Sequence, residues 1–165
     1  MDTKTIIVTL VTDRTQADVE RVRELAAKGF AAMTAAERAE WLAGMKGAYN
    51  ASDMNRVGTA LNYLAARLSS ICGRSIAWTA KTDWAVTDIP AASQAETYRR
   101  QIQDIRDALA YPAGTPDAPQ LGRLTYIGAN DIERIPALCE DLIVNVAKSF
   151  RHTGAAECAA GGLLT

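Results

Sequence analysis

The chain has few of the residues on which most enzyme sites depend. It contains one histidine, His152, and three widely separated cysteines, Cys72, Cys139 and Cys158. An odd number of cysteines without CxxC spacing argues against a disulfide framework or a zinc site, and it predicts reduced thiols. The sequence also lacks the HExxH, P-loop and GxGxxG patterns. We therefore predict that the chain binds no cofactor or metal, and the residues alone indicate no catalytic site.

The chain also lacks runs of like charge and long apolar runs. Its 18 basic and 19 acidic residues give a net charge of -1, and no cluster of Lys and Arg provides a footprint for nucleic acid. The apolar run at residues 5–11 is too short to span a membrane and has no basic leader with a cleavage site. We predict neither a nucleic-acid partner nor a membrane partner.

What the chain does contain is one short phrase in three copies: ADVERV at residues 17–22, SDMNRV at 52–57 and NDIERI at 130–135. An Asp in the first turn of a helix faces the positive end of the helix dipole, and an Arg three residues later can pair with it. The phrase is therefore interpreted as a structural helix start, with an Arg that reaches an anion or a partner as the alternative. The residues concerned are Asp18, Arg21, Asp53, Arg56, Asp131 and Arg134.

Five helices are predicted from the spacing of apolar residues and from end signals. They cover residues 16–28, 34–47, 52–73, 93–110 and 130–150. In the third helix the apolar residues alternate at spacings of three and four, which is typical of helices that pack nearly parallel or antiparallel. The fold class is therefore mainly α, a bundle of about five helices.

Capping residues set the predicted helix starts. Thr34 with Glu37 and Ser93 with Glu96 have the spacing of capping boxes, and Ser52 is the predicted N-cap of the third helix. Two segments, residues 5–11 and 75–82, are predicted to be extended and can pair as a short β-ribbon beside the helices.

Pro136 conflicts with the fifth helix, because a proline inside a helix removes a hydrogen bond and clashes with the preceding turn. Either the helix kinks there, or the regular helix begins at Ile135. Residues 112–122 hold three prolines and two glycines and are predicted to form a loop. We predict one helical domain over residues 1–152, followed by an Ala- and Gly-rich tail over 153–165.

A second match suggests an internal duplication. VTLVTDR at residues 8–14 matches WTAKTDW at 78–84 at the Thr and Asp positions, and each copy precedes a helix. The two halves would be residues 1–74 and 75–152, each a helix-pair unit, stacked to bury a common core.

The tryptophans are candidates for contact with a partner. Trp78 and Trp84 are six residues apart, so in an extended chain their side chains share one face. Such a pair can belong to the core, anchor a protein interface, or form a platform that stacks on carbohydrate. Trp41 and the terminal pair Leu163 and Leu164 are further interface candidates.

Several segments resemble virion proteins of tailed phages and prophages of Gram-positive bacteria. The segment WTAKTDW at residues 78–84 is similar to their Lys-Thr-Asp-Trp segment, and YNASDMNRV at 49–57 is similar to their Tyr-Asn-x-x-Asp-Leu-Asn-Arg helix start. LTY at 124–126 followed by ANDIE at 129–133 resembles a second such segment, with Glu133 where Asn is usual.

The resemblance implies a non-enzymatic structural protein of a tail, baseplate or head appendage, made in the host bacterial cytoplasm and located in the virion. It implies a homo-oligomer whose partners are identical copies and other virion proteins. A carbohydrate- or cell-surface-binding module that uses Trp78 and Trp84 is the alternative. A small hydrolase would have to use His152, which has no nucleophile motif near it.

Overall fold

The fold is a helical bundle, which confirms the predicted fold class. The computed structural model describes residues 3–161, with side chains described for residues 6–149. Two short 3₁₀ turns, Phe30–Ala32 and Leu121–Arg123, lie between the helices. The helices of the described residues are α1 (Thr3–Val8), α2 (Gln16–Lys28), α3 (Ala35–Leu42), α4 (Ala51–Cys72), α5 (Ala92–Asp107) and α6 (Tyr126–Gly161).

The β-ribbon is wrong, because residues 3–161 contain no strand. The first of its two segments folds mainly as α1, which packs against α4 and α6. The second, residues 75–82, has no regular secondary structure and lies along α4. There the Asn62 side-chain amide donates to the Ala80 carbonyl (3.0 Å) and accepts from the Ala80 N–H (2.7 Å). This amide takes the hydrogen bonds that a neighbouring strand would have supplied.

The starts of α4 and α5 differ from the prediction. The N-cap of α4 is Asn50 and not Ser52: its side chain accepts the Ser52 N–H (2.8 Å), and Asp53 accepts the Asn50 N–H (2.9 Å). At the start of α5 the Ala91 N–H donates to the Gln94 side chain (2.9 Å), so Ser93 lies inside the first turn. The predicted capping box of α3, Thr34 with Glu37, is confirmed.

The last helix is longer than predicted at both ends. It begins at Tyr126, contains Pro136 in its interior, and continues past residue 152 to Gly161. The start at Ile135 is therefore wrong. Pro136 is fully buried in the bundle. Its missing N–H removes one backbone hydrogen bond from the helix, and its tertiary packing offsets that loss of stability.

The core lies between α4, α5 and α6, which pack against one another. The predicted apolar stripe of α4 forms its centre, with Ile71 at the partly buried end of the stripe. A smaller cluster joins α2 to the segment around α3. The fully buried aliphatic side chains of the main core are Val57, Leu61, Leu64, Leu68, Ile102, Ile105, Ile132, Ile135 and Ile143.

Gly58 allows residues 75–82 to lie directly on α4. A Cβ at this position would stand 2.3 Å from the Lys81 carbonyl oxygen, so no larger residue fits without a backbone shift. Gly58→Ala is expected to lower the free energy of unfolding by about 1–2 kcal/mol, because overpacking outweighs the gain in helix propensity. Urea denaturation followed by circular dichroism measures this. Gly122→Ala is the control, because a Cβ there meets nothing within 4 Å; equal stabilities of the two variants would contradict the prediction.

Candidate functional site

Among the side chains of residues 6–149, that of Arg14, in the segment between α1 and α2, makes the most hydrogen bonds. Its side chain is buried, with 3% of the residue exposed. The guanidinium directs its five N–H donors at two carboxylates and at backbone carbonyls, so no donor remains for a ligand. The acceptors are Asp53 (2.9 Å), Glu133 (2.5 Å), and the carbonyls of Val11 (2.7 Å), Lys46 (3.1 Å) and Ala129 (3.4 Å).

Glu133 connects this arginine to a second one. It is 0% exposed and lies on α6, and it accepts two hydrogen bonds from Arg56, at 2.9 Å from Nε and 2.7 Å from Nη2. Arg56 also pairs with Asp53 on the same helix, α4. We call Arg14, Asp53, Arg56 and Glu133 the ionic network. Its two cations and two anions alternate, so the buried charges balance.

The same segment is fixed to α6 through its backbone. The Val11 N–H donates to Glu133 Oε2 (2.7 Å). The Arg14 N–H donates to Asn130 Oδ1 (2.9 Å), and Asn130 Nδ2 donates to the Arg14 carbonyl (2.9 Å). Glu133 thereby accepts from Val11, Arg14 and Arg56 together, which satisfies a carboxylate that is fully removed from water.

Two tyrosines stand beside the ionic network. The hydroxyls of Tyr49 and Tyr98 are 2.6 Å apart, and the Arg14 guanidinium carbon lies 5.5 Å from the centre of the Tyr49 ring. Burial raises the pKa of Tyr49 above its usual value and raises that of Tyr98 well above it, because the charged phenolate would lose its hydration. Both hydroxyls therefore stay protonated around neutral pH.

The three copies of the repeated phrase do different things. Asp53 and Arg56 of the second copy belong to the ionic network. In the first copy Asp18 completes a capping box with Thr15, and Arg21 pairs at the surface with Glu24 (2.9 Å) and Glu40 (2.8 Å). The first copy is therefore a helix start.

The third copy contributes through residues that the phrase did not single out. Asn130 and Glu133 bind the segment before α2. Asp131 and Arg134 make no hydrogen bond or ion pair to the ionic network, and burial raises the pKa of the Asp131 carboxyl. In the sequence, only one signal marks this position: Glu133 stands where Asn is usual in the virion proteins that the segment resembles.

A second side-chain clamp holds Trp84. Asn55 Nδ2 on α4 donates to the Trp84 carbonyl (2.9 Å), and the Trp84 N–H donates to Asn55 Oδ1 (2.7 Å). Asn130 holds Arg14 in the same two-bond manner. Thus the residue that follows Thr-Asp in each matched segment is fixed by an asparagine of a long helix.

Asn55→Ala is expected to lower the free energy of unfolding by about 1–3 kcal/mol, because it leaves the buried backbone groups of Trp84 without partners. Chemical denaturation with circular dichroism measures the loss. Asn145→Ala on the exposed side of α6 is the matched control. A loss no larger than that of the control would contradict a role for the clamp.

The tryptophans do not form an exposed platform. Trp84 is 7% exposed and belongs to the core, so it cannot stack on a sugar or anchor an interface. Trp78 is partly buried, and its Nε1 donates to Asp104 (2.7 Å). Trp41 packs against the smaller cluster. Leu163 and Leu164 lie outside the described residues.

A broad groove opens next to the ionic network, between the N-terminal ends of α2, α5 and α6. Its volume is about 1130 Å³. Arg14, Tyr49 and Met54 lie along it where it meets the network. We call it the terminal groove. Other lining residues include Gln16, Val19, Arg23, Pro90, Ala95, Glu96, Arg99, Leu121, Leu124 and Ile127.

No protein-family model, curated protein or solved structure matches the chain. Within residues 3–161, no helix has the length and apolar character needed to cross a membrane. No group of His, Cys, Asp and Glu in the described part of the chain has the arrangement of a metal site. The side chain of His152 lies outside the described ones.

Proposed function

We propose that the chain is a non-enzymatic structural protein of a phage virion, which acts in the assembly of a tail, baseplate or head appendage. One observation carries this proposal: in the fold, the segments that resemble virion proteins are joined to one another by hydrogen bonds. Asn55 of the YNASDMNRV segment holds Trp84 of the WTAKTDW segment, and Glu133 of the ANDIE segment accepts hydrogen bonds from Arg56.

This arrangement supports an architectural role because the residues of the resemblance form internal contacts. The ionic network joins Asp53 and Arg56 on α4 to Glu133 on α6 and to Arg14 in the N-terminal segment. Buried networks of this kind fix one arrangement of the elements that they join, when every member is satisfied. A rigid unit with fixed outer surfaces is what repeated assembly requires.

Detection in purified particles tests the proposal. Particles are purified by density gradient from the strain that carries the gene, and their proteins are identified by quantitative mass spectrometry. We expect this chain at a fixed copy number relative to the major tail or head proteins, and immunogold labelling at one substructure. A cytosolic enzyme of the same strain serves as the contamination control. A chain that is expressed but no more abundant in particles than that enzyme would refute the proposal.

A further inference from the structure

We propose that two copies of this chain associate about a two-fold axis, with residues 85–90 of each copy seated in the terminal groove of the other. The choice of a second copy as the partner rests on the proposed assembly function. The proposed interface consists of the projecting loop, residues 85–90, and the terminal groove beside it.

The loop projects two aliphatic side chains into solvent. Val86 is 96% exposed and Ile89 is 92% exposed, the largest exposures among the large apolar residues of the described chain. The loop is also closed on itself: the Asp88 N–H donates to the Ala85 carbonyl (2.9 Å), and the Ala85 N–H donates to Asp88 Oδ2 (3.0 Å). A closed turn loses little conformational entropy on binding, so its apolar side chains are prepared for contact.

The terminal groove offers apolar surface to receive them. Val19 lines it from α2, Leu121 and Leu124 from the turn before α6, and the half-exposed Ile127 from α6 itself. Pro90 ends the loop and also lines the groove. Loop and groove are therefore neighbours on one surface of the molecule.

The charges of the loop and the groove are complementary. Among the charged side chains of the groove, Arg14 is used in the ionic network and Arg99 pairs with Glu96 (2.6 Å). Arg23 is exposed and has no ion pair among the described residues, which leaves one uncompensated positive charge. The loop carries the exposed Asp88, which has no ion pair among those residues either. The loop and the groove thus each offer one charge, of opposite sign, for a contact between two copies.

A projection next to a recess suits a closed pair. When both lie on one surface, a two-fold rotation places each loop opposite the other copy's groove, so both contacts form at once. Two identical contacts bind cooperatively, since the second contact forms within a complex that already exists.

Sedimentation equilibrium of the full chain tests the proposal. We expect the wild type to shift from monomer to dimer between roughly 1 and 500 µM. Val86→Asp combined with Ile89→Asp is the loop variant, and it should raise the dimer dissociation constant by roughly 100-fold or more. Leu42→Asp is the matched control, because Leu42 is 74% exposed on α3 and does not line the groove. It should leave the dissociation constant unchanged.

Mixing two defective variants tests the reciprocal arrangement. Arg23→Glu combined with Ile127→Glu is the groove variant, and we expect it to be monomeric like the loop variant. An equimolar mixture of loop and groove variants can form only one intact contact, and its second contact sets the altered loop against the altered groove, so it should dimerise more weakly than the wild type. Unchanged circular dichroism of each variant establishes that it is folded.

Three outcomes would overturn the proposal. They are a monomeric wild type across the whole concentration range, a loop variant that dimerises like the Leu42 control, and a mixture that dimerises as tightly as the wild type. A larger ring would also overturn the two-fold arrangement. A monomeric chain that is nevertheless present in purified particles would refute the dimer alone, whereas a dimer absent from particles would refute the proposed function alone.

Discussion

Glu133→Gln is expected to lower the free energy of unfolding by about 3–5 kcal/mol, the usual cost of removing one partner from a buried ion pair. The Glu133 carboxylate accepts from both arginines of the ionic network and from the Val11 N–H. A glutamine has the same shape, but its NH₂ group would face at least one of these donors. Two guanidinium groups would then share the single carboxylate of Asp53, and the balance of the buried charges would be lost.

Urea denaturation followed by circular dichroism measures this loss. Asp141→Asn is the matched control, since it removes one carboxylate charge from the exposed face of the same helix. We expect that control to stay within about 0.5 kcal/mol of the wild type. If Glu133→Gln were as stable as Asp141→Asn, the ionic network would contribute nothing to holding α4, α6 and the N-terminal segment together.

Raising the pH above about 10 is expected to unfold the protein progressively, because Tyr49 and Tyr98 resist ionisation in the folded state. Their pKa values are raised on folding, so the stability they contribute is fully present below the pKa of an unfolded tyrosine. Above the pKa of an unfolded tyrosine, the unfolded chain releases the hydroxyl protons of these two tyrosines, whereas the folded chain keeps them. The free energy of unfolding therefore falls by up to about 1.4 kcal/mol per pH unit for each tyrosine, until the folded pKa is reached.

Denaturation curves collected between neutral pH and strongly alkaline pH measure this fall. Tyr49→Phe combined with Tyr98→Phe is the appropriate variant, because it removes both titrating hydroxyls and leaves neither without its partner. We expect it to be close to the wild type at neutral pH and to lose stability less steeply above pH 10 or so. The same alkaline slope for both proteins would show that other groups cause the unfolding.

Helices could be predicted where one local signal dominates. Residues 16–28 form α2 as predicted, and Gly73 ends α4 in the left-handed conformation that favours glycine. Errors arose where two local signals competed. Asn50 and Ser52 are both good N-caps, and only the hydrogen bonds of the folded chain select Asn50. Pro136 is tolerated because the packing of α6 outweighs one lost backbone bond.

The ionic network was only half visible in the sequence. The sequence predicts the contact between Asp53 and Arg56, because their spacing of three places them on one side of a helix. Arg14 and Glu133 are 119 residues apart, and their contact depends on how α6 packs against α4. No local pattern encodes such a contact. The match between residues 8–14 and 78–84 includes position 14, but it indicates a duplication and not a buried charge.

The long reach of the Val11–Glu133 contact has a consequence for the order of folding. These residues are 122 positions apart, so closing that loop is costly until α4 and α6 have already met. Without the segment before α2, Arg56 alone would face the carboxylates of Asp53 and Glu133. Docking of the segment before α2 supplies Arg14 as the second cation, so the buried charges balance only when this segment is in place.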